Sequence, residues 1–232
     1  VTKGRPTLLL DADILVYQSA AVHQRVTDWG DDNVTVATDS LEEAVNTIQN
    51  AVDQFQQTLK AGRIVFCLSD SDNFRKALLP TYKANRPVKP VLVAPLKEWI
   101  RANTRCYQKP ALEGDDVLGI LATHPALIKG PKIMVSIDKD MKTIPGTIYN
   151  PGRDTLDTVS PEEADYWHMF QTLTGDPTDN YKGCPGVGKV GADKILQAAV
   201  DQGRPMWSAV VAAYRAKGLT EEDALVQARV AR

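Results

Sequence analysis

The chain runs to 232 residues, 43% of them apolar, with a net charge of −2 and a pI near 6.0. That length holds one or two domains. The balance excludes a simple basic nucleic-acid binder, and no stretch approaches the roughly 18 unbroken apolar residues of a membrane span. Charge is unevenly spread: residues 1–74 carry 5 basic and 11 acidic side chains, 75–109 carry 9 and 1, 113–179 carry 5 and 12, and 180–232 carry 8 and 5. An acidic body with one strongly basic insert suits metal ions together with a polyanion. Cys67, Cys106 and Cys184 share no CxxC spacing and read as free thiols of a reducing, intracellular compartment. Asp11 and Asp13 interrupt the one early apolar run, so no signal peptide is expected.

Thr7-Leu8-Leu9-Leu10 has the pattern of a strand buried in a parallel sheet, and it ends in Asp11-Ala12-Asp13. Residues 27–38 read as polar and turn-like. Ser40-Leu41-Glu42-Glu43 is a capping box opening an amphipathic helix, with apolar residues at 41, 44, 45, 48, 51, 52, 55 and 59, and Gly62 closes it. Ile64–Leu68 is a second buried strand, running into Ser69-Asp70. The basic insert follows with Arg75-Lys76 and Tyr82-Lys83-Ala84-Asn85-Arg86. Lys83 and Arg86 can grip a phosphate and the Tyr82 ring can stack on a base, although a solvated helix face explains the same composition.

Glu113-Gly114-Asp115-Asp116 then opens a helix whose apolar face is Val117, Leu118, Ile120 and Leu121. Lys132–Ile137 is a third strand, ending in Asp138-Lys139-Asp140, and Thr147–Tyr149 a shorter one. Ser160-Pro161-Glu162-Glu163 starts a helix that stops at Gly175. Gly175-Asp176-Pro177-Thr178-Asp179-Asn180 leads to a glycine-rich turn, Gly183–Gly188, and a helix through Lys189 and Lys194. Two more helices are expected near 206–216 and from Thr220 onward.

Asp11, Asp70, Glu113, Asp115, Asp116, Asp138, Asp140, Asp176 and Asp179 end or begin such runs. Open α/β sheets bind ligands at the strands' C-terminal ends. So many carboxylates gathered there need divalent cations, and oxygen-only donors point to Mg²⁺ or Mn²⁺ rather than zinc. Two such ions roughly 4 Å apart can clamp a phosphoryl displacement. Gly186 and Gly188 can present backbone amides to phosphates, with Lys189 and Lys194 beside a duplex backbone.

Taken in order, these motifs resemble the flap-endonuclease superfamily, and most closely the 5′→3′ exonucleases of T-odd coliphages. The resemblance implies an α/β fold of PIN/flap-endonuclease type: a central, mostly parallel twisted sheet flanked by helices. It implies a nuclease core over 1–174 with a basic helical arch at about 75–105, and a helix–hairpin–helix subdomain over 175–232 that holds duplex DNA. Glu113, Asp115 and Asp116 look like ligands of a first metal, with Asp70 beside it and Asp11 linked through water. Asp138, Asp140, Asp176 and Asp179 look like the second-metal group, and Lys83 and Arg86 like the pair that steers the scissile phosphate. Arg75, Lys76 and Tyr82 join them as DNA contacts. The resemblance further implies two Mg²⁺ (or Mn²⁺), a K⁺ at the hairpin, and 5′-ended duplex or flapped DNA, with RNA–DNA hybrid as a further substrate. Its setting would be phage DNA replication, degradation or recombination in the bacterial cytoplasm, with a monomer as the default state. Asp13 stands where many relatives carry an uncharged residue, and Lys189 falls one position before the usual hairpin lysine. Two other readings use part of the same set: a haloacid-dehalogenase-type phosphatase acting through Asp11 and Asp13, and a PIN-type ribonuclease.

Overall fold

The computed structural model describes residues 4–30 and 33–232. It divides into two compact units: Val1–Asp72 with Val88–Met141 and Gly146–Thr158, and Asn73–Pro87 with Lys142–Pro145 and Val159–Arg232. The chain begins with β1 (Thr7–Asp11), α1 (Ala12–Val22), β2 (Gln24–Asp28), β3 (Val34–Thr38), α2 (Leu41–Thr58) and β4 (Arg63–Cys67). There follow α3 (Phe74–Leu78), α4 (Val93–Asn103), β5 (Cys106–Tyr107), α5 (Gly114–Thr123), β6 (Lys132–Val135), a 3₁₀ turn (Lys139–Thr143), β7 (Gly146–Asn150) and β8 (Thr155–Val159). The remainder is helical: α6 (Pro161–Thr174), α7 (Lys189–Asp201), α8 (Met206–Arg215) and α9 (Glu221–Ala231).

The first unit is built on a sheet of order β5-β4-β1-β6-β7-β8. β1 runs parallel to both β4 and β6, with Leu9 opposite Val65 and Met134. Every residue of β1 is buried, as a central parallel strand covered on both faces requires. Leu8 and Leu10 pack with Val16 of α1, Ile48 of α2 and Leu96 and Ile100 of α4. α5 packs on β1, β4 and β6. The capping box at Ser40 forms: Glu43 N–H donates to Ser40 Oγ at 3.2 Å and Ser40 N–H to Glu43 Oε2 at 3.0 Å.

Three local expectations are corrected. Within 27–38, the described residues pair as the β2–β3 hairpin, with Val26 opposite Val36; alternating valines win over the polar composition. β6 ends at Val135, so Ser136 and Ile137 are loop residues. The basic insert has no single body. Residues 73–87 belong to the second unit, and α4 buries Val93, Leu96 and Ile100 in the first.

In the second unit α6, α7, α8 and α9 pack around Leu173, Cys184, Leu196, Val210, Tyr214 and Ala224. The Tyr214 hydroxyl donates to the Thr172 carbonyl at 2.7 Å. α6 therefore packs with the C-terminal helices α7, α8 and α9. Gly175 and Gly183, with φ of 65° and 64°, meet so closely that a Cβ on Gly183 would lie 2.3 Å from Gly175 N. Both positions need glycine, for conformation and for space.

Candidate active site

The parallel strands β1, β4 and β6 deliver their C-terminal ends to one edge of the first unit. The chain leaves β1 for β4 on one side and later reaches β6 on the other, which places a topological switch at β1. Asp11 stands there, 3% exposed. Its carboxylate caps α1 by accepting Ile14 N–H at 3.2 Å, and it accepts the Ser136 hydroxyl, from the loop after β6, at 2.8 Å. Burial, then the charges of Asp13 and Asp138, push its pKa up to about 7. The Cys67 thiol is likewise raised, by burial and by the nearby charges of Asp11, Asp115 and Asp13.

Asp70, after β4, accepts Ala111 N–H at 2.9 Å and the Gln108 amide at 3.0 Å, and the backbone bond holds its pKa below the ordinary value. Asp116 accepts Glu113 N–H at 2.8 Å across the first turn of α5. Asp138, after β6, accepts Asp140 N–H at 2.8 Å, and its own N–H donates to Ser136 Oγ at 3.0 Å. Glu113, Asp115 and Asp140 are half-buried. Asp11, Asp70, Asp116 and Asp138 are thus each fixed by at least one backbone N–H, Asp11 by the Ser136 hydroxyl as well and Asp70 by the Gln108 amide.

This edge fits a hard divalent cation by its chemistry: oxygen-only donors, low exposure, and an Asp11 whose ionisation is opposed first by burial and then by the charges of Asp13 and Asp138. Among the described residues, no three His, Cys, Asp or Glu side chains are already gathered as a metal-ready group.

In the second unit, Asp179 is committed to cations. Its Oδ1 pairs with Arg86 at 2.7 Å, and its Oδ2 lies 3.6 Å from Lys83 Nζ and 3.2 Å from the Tyr82 hydroxyl. Lys83, at φ 55°, also donates its backbone N–H to the Asp179 carbonyl at 2.9 Å. Asp176 is buried and accepts Thr178 N–H at 2.7 Å. Two expected DNA contacts are corrected. Tyr82 is 3% exposed, packed with Tyr181 and Val230, so its ring is closed to a base. Arg75 is 4% exposed and donates from Nε to the Val230 carbonyl at 2.9 Å, which makes it an internal tie between α3 and α9. Both lie next to apolar residues that bury them, a signal that the basic composition of the segment hides. Lys76, Arg86, Lys189 and Lys194 are exposed. Gly188 caps α7 without a side-chain partner, and Gly186 takes φ 73°. Among the described residues, no helix lies between Gly175 and Gly188; the glycine turn follows a tight loop.

Sequence reasoning missed Lys97 and Ser136, and it weighed Ser69 only as a phosphate-binding hydroxyl; Lys97 and Ser69 hold Asp13, and Ser136 bonds Asp11 and the Asp138 backbone. Lys97 could have been suspected from its place beside Leu96 on the apolar face of α4.

Residues 6–161 match the model of the 5′-3′ exonuclease N-terminal resolvase-like domain. The exodeoxyribonuclease of enterobacteria phage T3 and the exonuclease of Escherichia phage T7 are each 30% identical over 97% of this chain, which spans 86% and 87% of their lengths. Among solved structures, a phage T5 protein co-crystallised with metal ions superposes with a TM-score of 0.72 at 12% identity, over 97% of this chain and 88% of that one. A phage T5 flap endonuclease in complex with DNA and metal ions gives 0.66 at 12%, over 97% and 88%. Its mostly parallel sheet and its sequence agree: the chain belongs to the 5′-3′ exonuclease family.

Proposed function

We propose that this enzyme hydrolyses DNA phosphodiesters from the 5′ side with Asp11, Asp70, Glu113, Asp115, Asp116, Asp138 and Asp140 holding divalent cations, Mg²⁺ foremost and Mn²⁺ as a substitute. The observation that carries the reading is the delivery of Asp11, Asp70 and Asp138 by three adjacent parallel strands to one edge. Bound cations supply charge stabilisation for the attacking and leaving oxygens of the scissile phosphate. Asp11 is buried and held by Ser136, and Glu113, Asp115 and Asp116 stand at the start of α5, which packs on β1, β4 and β6; this common placement supports the reading. Lys83 and Arg86, prearranged by Asp179, orient a backbone phosphate as charge-assisted donors. The exposed α7 N-terminus with Lys189 and Lys194 suits the backbone of a duplex, with K⁺ as a further ligand of the glycine turn. The substrates this reading favours are duplex or flapped DNA, with RNA–DNA hybrid tolerated, in the replication or turnover of phage DNA in a bacterial cytoplasm. No helix among the described residues is long and apolar enough to cross a membrane. Asp11 as a phosphatase nucleophile is disfavoured by its burial, since a nucleophile must reach its substrate.

Asp138→Asn tests the assignment, because the amide oxygen can still accept Asp140 N–H. DNA affinity should stay within about threefold while cleavage in Mg²⁺ falls about a hundredfold or more. Unchanged turnover would remove Asp138 from the site.

A further inference from the structure

Asp13, in the first turn of α1, stands two residues from Asp11 yet is fully engaged by protein groups. One carboxylate oxygen forms an ion pair with Nζ of Lys97 in α4. The other accepts Ser69 N–H at 2.7 Å. That same oxygen lies 2.7 Å from where a Cβ would stand on Gly114, the first residue of α5. Gly114 N–H in turn donates to Ser69 Oγ at 2.8 Å. Four segments, α1, α4, the loop after β4 and the start of α5, therefore meet on one carboxylate. The side chains of Lys97 and Asp13 are only 14% and 27% exposed, so water screens their charges weakly. The charge of Asp13 is felt at Asp11, whose ionisation it opposes.

We propose that Lys97 neutralises Asp13 as a built-in counter-ion, so that Asp13 is a positioning residue outside the metal ligand set and the pair sets divalent-cation affinity. The proposal rests on the metal-nuclease reading above. An unpaired Asp13 would add a negative charge beside the ligands and draw cations more tightly, in a poorer arrangement. An unpaired Lys97 would repel them. The two lesions have opposite signs, which a purely structural contact would not produce.

The test is Mn²⁺ binding to the full chain without DNA, read by electron paramagnetic resonance. Lys97→Met should tighten Mn²⁺ binding about threefold or more, Asp13→Asn should weaken it by a similar factor, and the double variant should return to within about twofold of the wild type. Lys97→Arg should keep the wild-type affinity. Shifts in the same direction, or none, overturn the proposal, as does a wild type that binds no Mn²⁺. If Asp13→Asn fails to fold, Lys97→Met decides alone: tighter binding supports the pair, and unchanged or weaker binding overturns it. Cleavage of DNA by the same wild-type sample separates the two readings. Opposite metal shifts without any cleavage would sink the nuclease and keep the pair; cleavage without the shifts would sink only the pair.

Discussion

At the scale of single residues, the acids of this edge differ by what holds them. Asp11 is buried and repelled into a raised pKa, whereas Asp70 is exposed to backbone donors and lowered. A cation answers the first environment more than the second, because burial removes the water that would otherwise screen a bare carboxylate. The close packing under α5 is equally specific. A Cβ on Gly114 would meet Asp13 Oδ2 at 2.7 Å and the Cys67 carbonyl at 3.1 Å, and the carbonyl cannot rotate away. Gly114→Ala should therefore cost about 1–3 kcal/mol in denaturant unfolding. A loss smaller than about 0.5 kcal/mol would mean that α5 is not seated as described.

At the scale of elements, α3 and α9 are joined by a charged side chain turned inward. Arg75→Ala should cost about 1.5–3 kcal/mol, the loss of a charge-assisted bond to the Val230 carbonyl. The salt dependence of DNA affinity should stay unchanged, since no phosphate contact is removed. A shallower salt slope would return Arg75 to the DNA-binding set. α6 and α9 are joined by His168, whose Nε2 lies 2.9 Å from the Ala228 carbonyl. Burial, the larger cause, lowers its pKa below the ordinary 6.5. The depressed value means that the unfolded chain binds the proton more readily. The stabilising contribution is present above about pH 6.5 and lost as pH falls through the folded-state value. Melting temperature should fall between pH 7.5 and pH 5, and fall less in His168→Gln; equal falls would acquit the histidine.

At the scale of the whole molecule, what the sequence discloses depends on how local its cause is. β1, β4 and β6 were legible because buried parallel strands are continuous apolar runs, and α2 and α6 because Ser40 and Ser160 open capping boxes. The strand-end acids followed from that placement. The inward turn of Arg75 and Tyr82 was illegible, because it depends on Val230, about 150 residues away, and no local pattern encodes such a partner. The β2–β3 hairpin was missed because its valines are separated by polar residues. They pack into no core, so alternation alone marked them. Lys97 was hidden in the composition of a basic segment, where its one distinguishing feature is a neighbour on a buried face.

The most direct measurement is product analysis on duplex DNA labelled at the 5′ end of one strand, in Mg²⁺ and then in excess EDTA. Early release of 5′-terminal mononucleotides or short oligonucleotides, abolished by EDTA, is the expected result. Release first from the 3′ end, or cleavage that persists in EDTA, would contradict a metal-dependent enzyme working from the 5′ side.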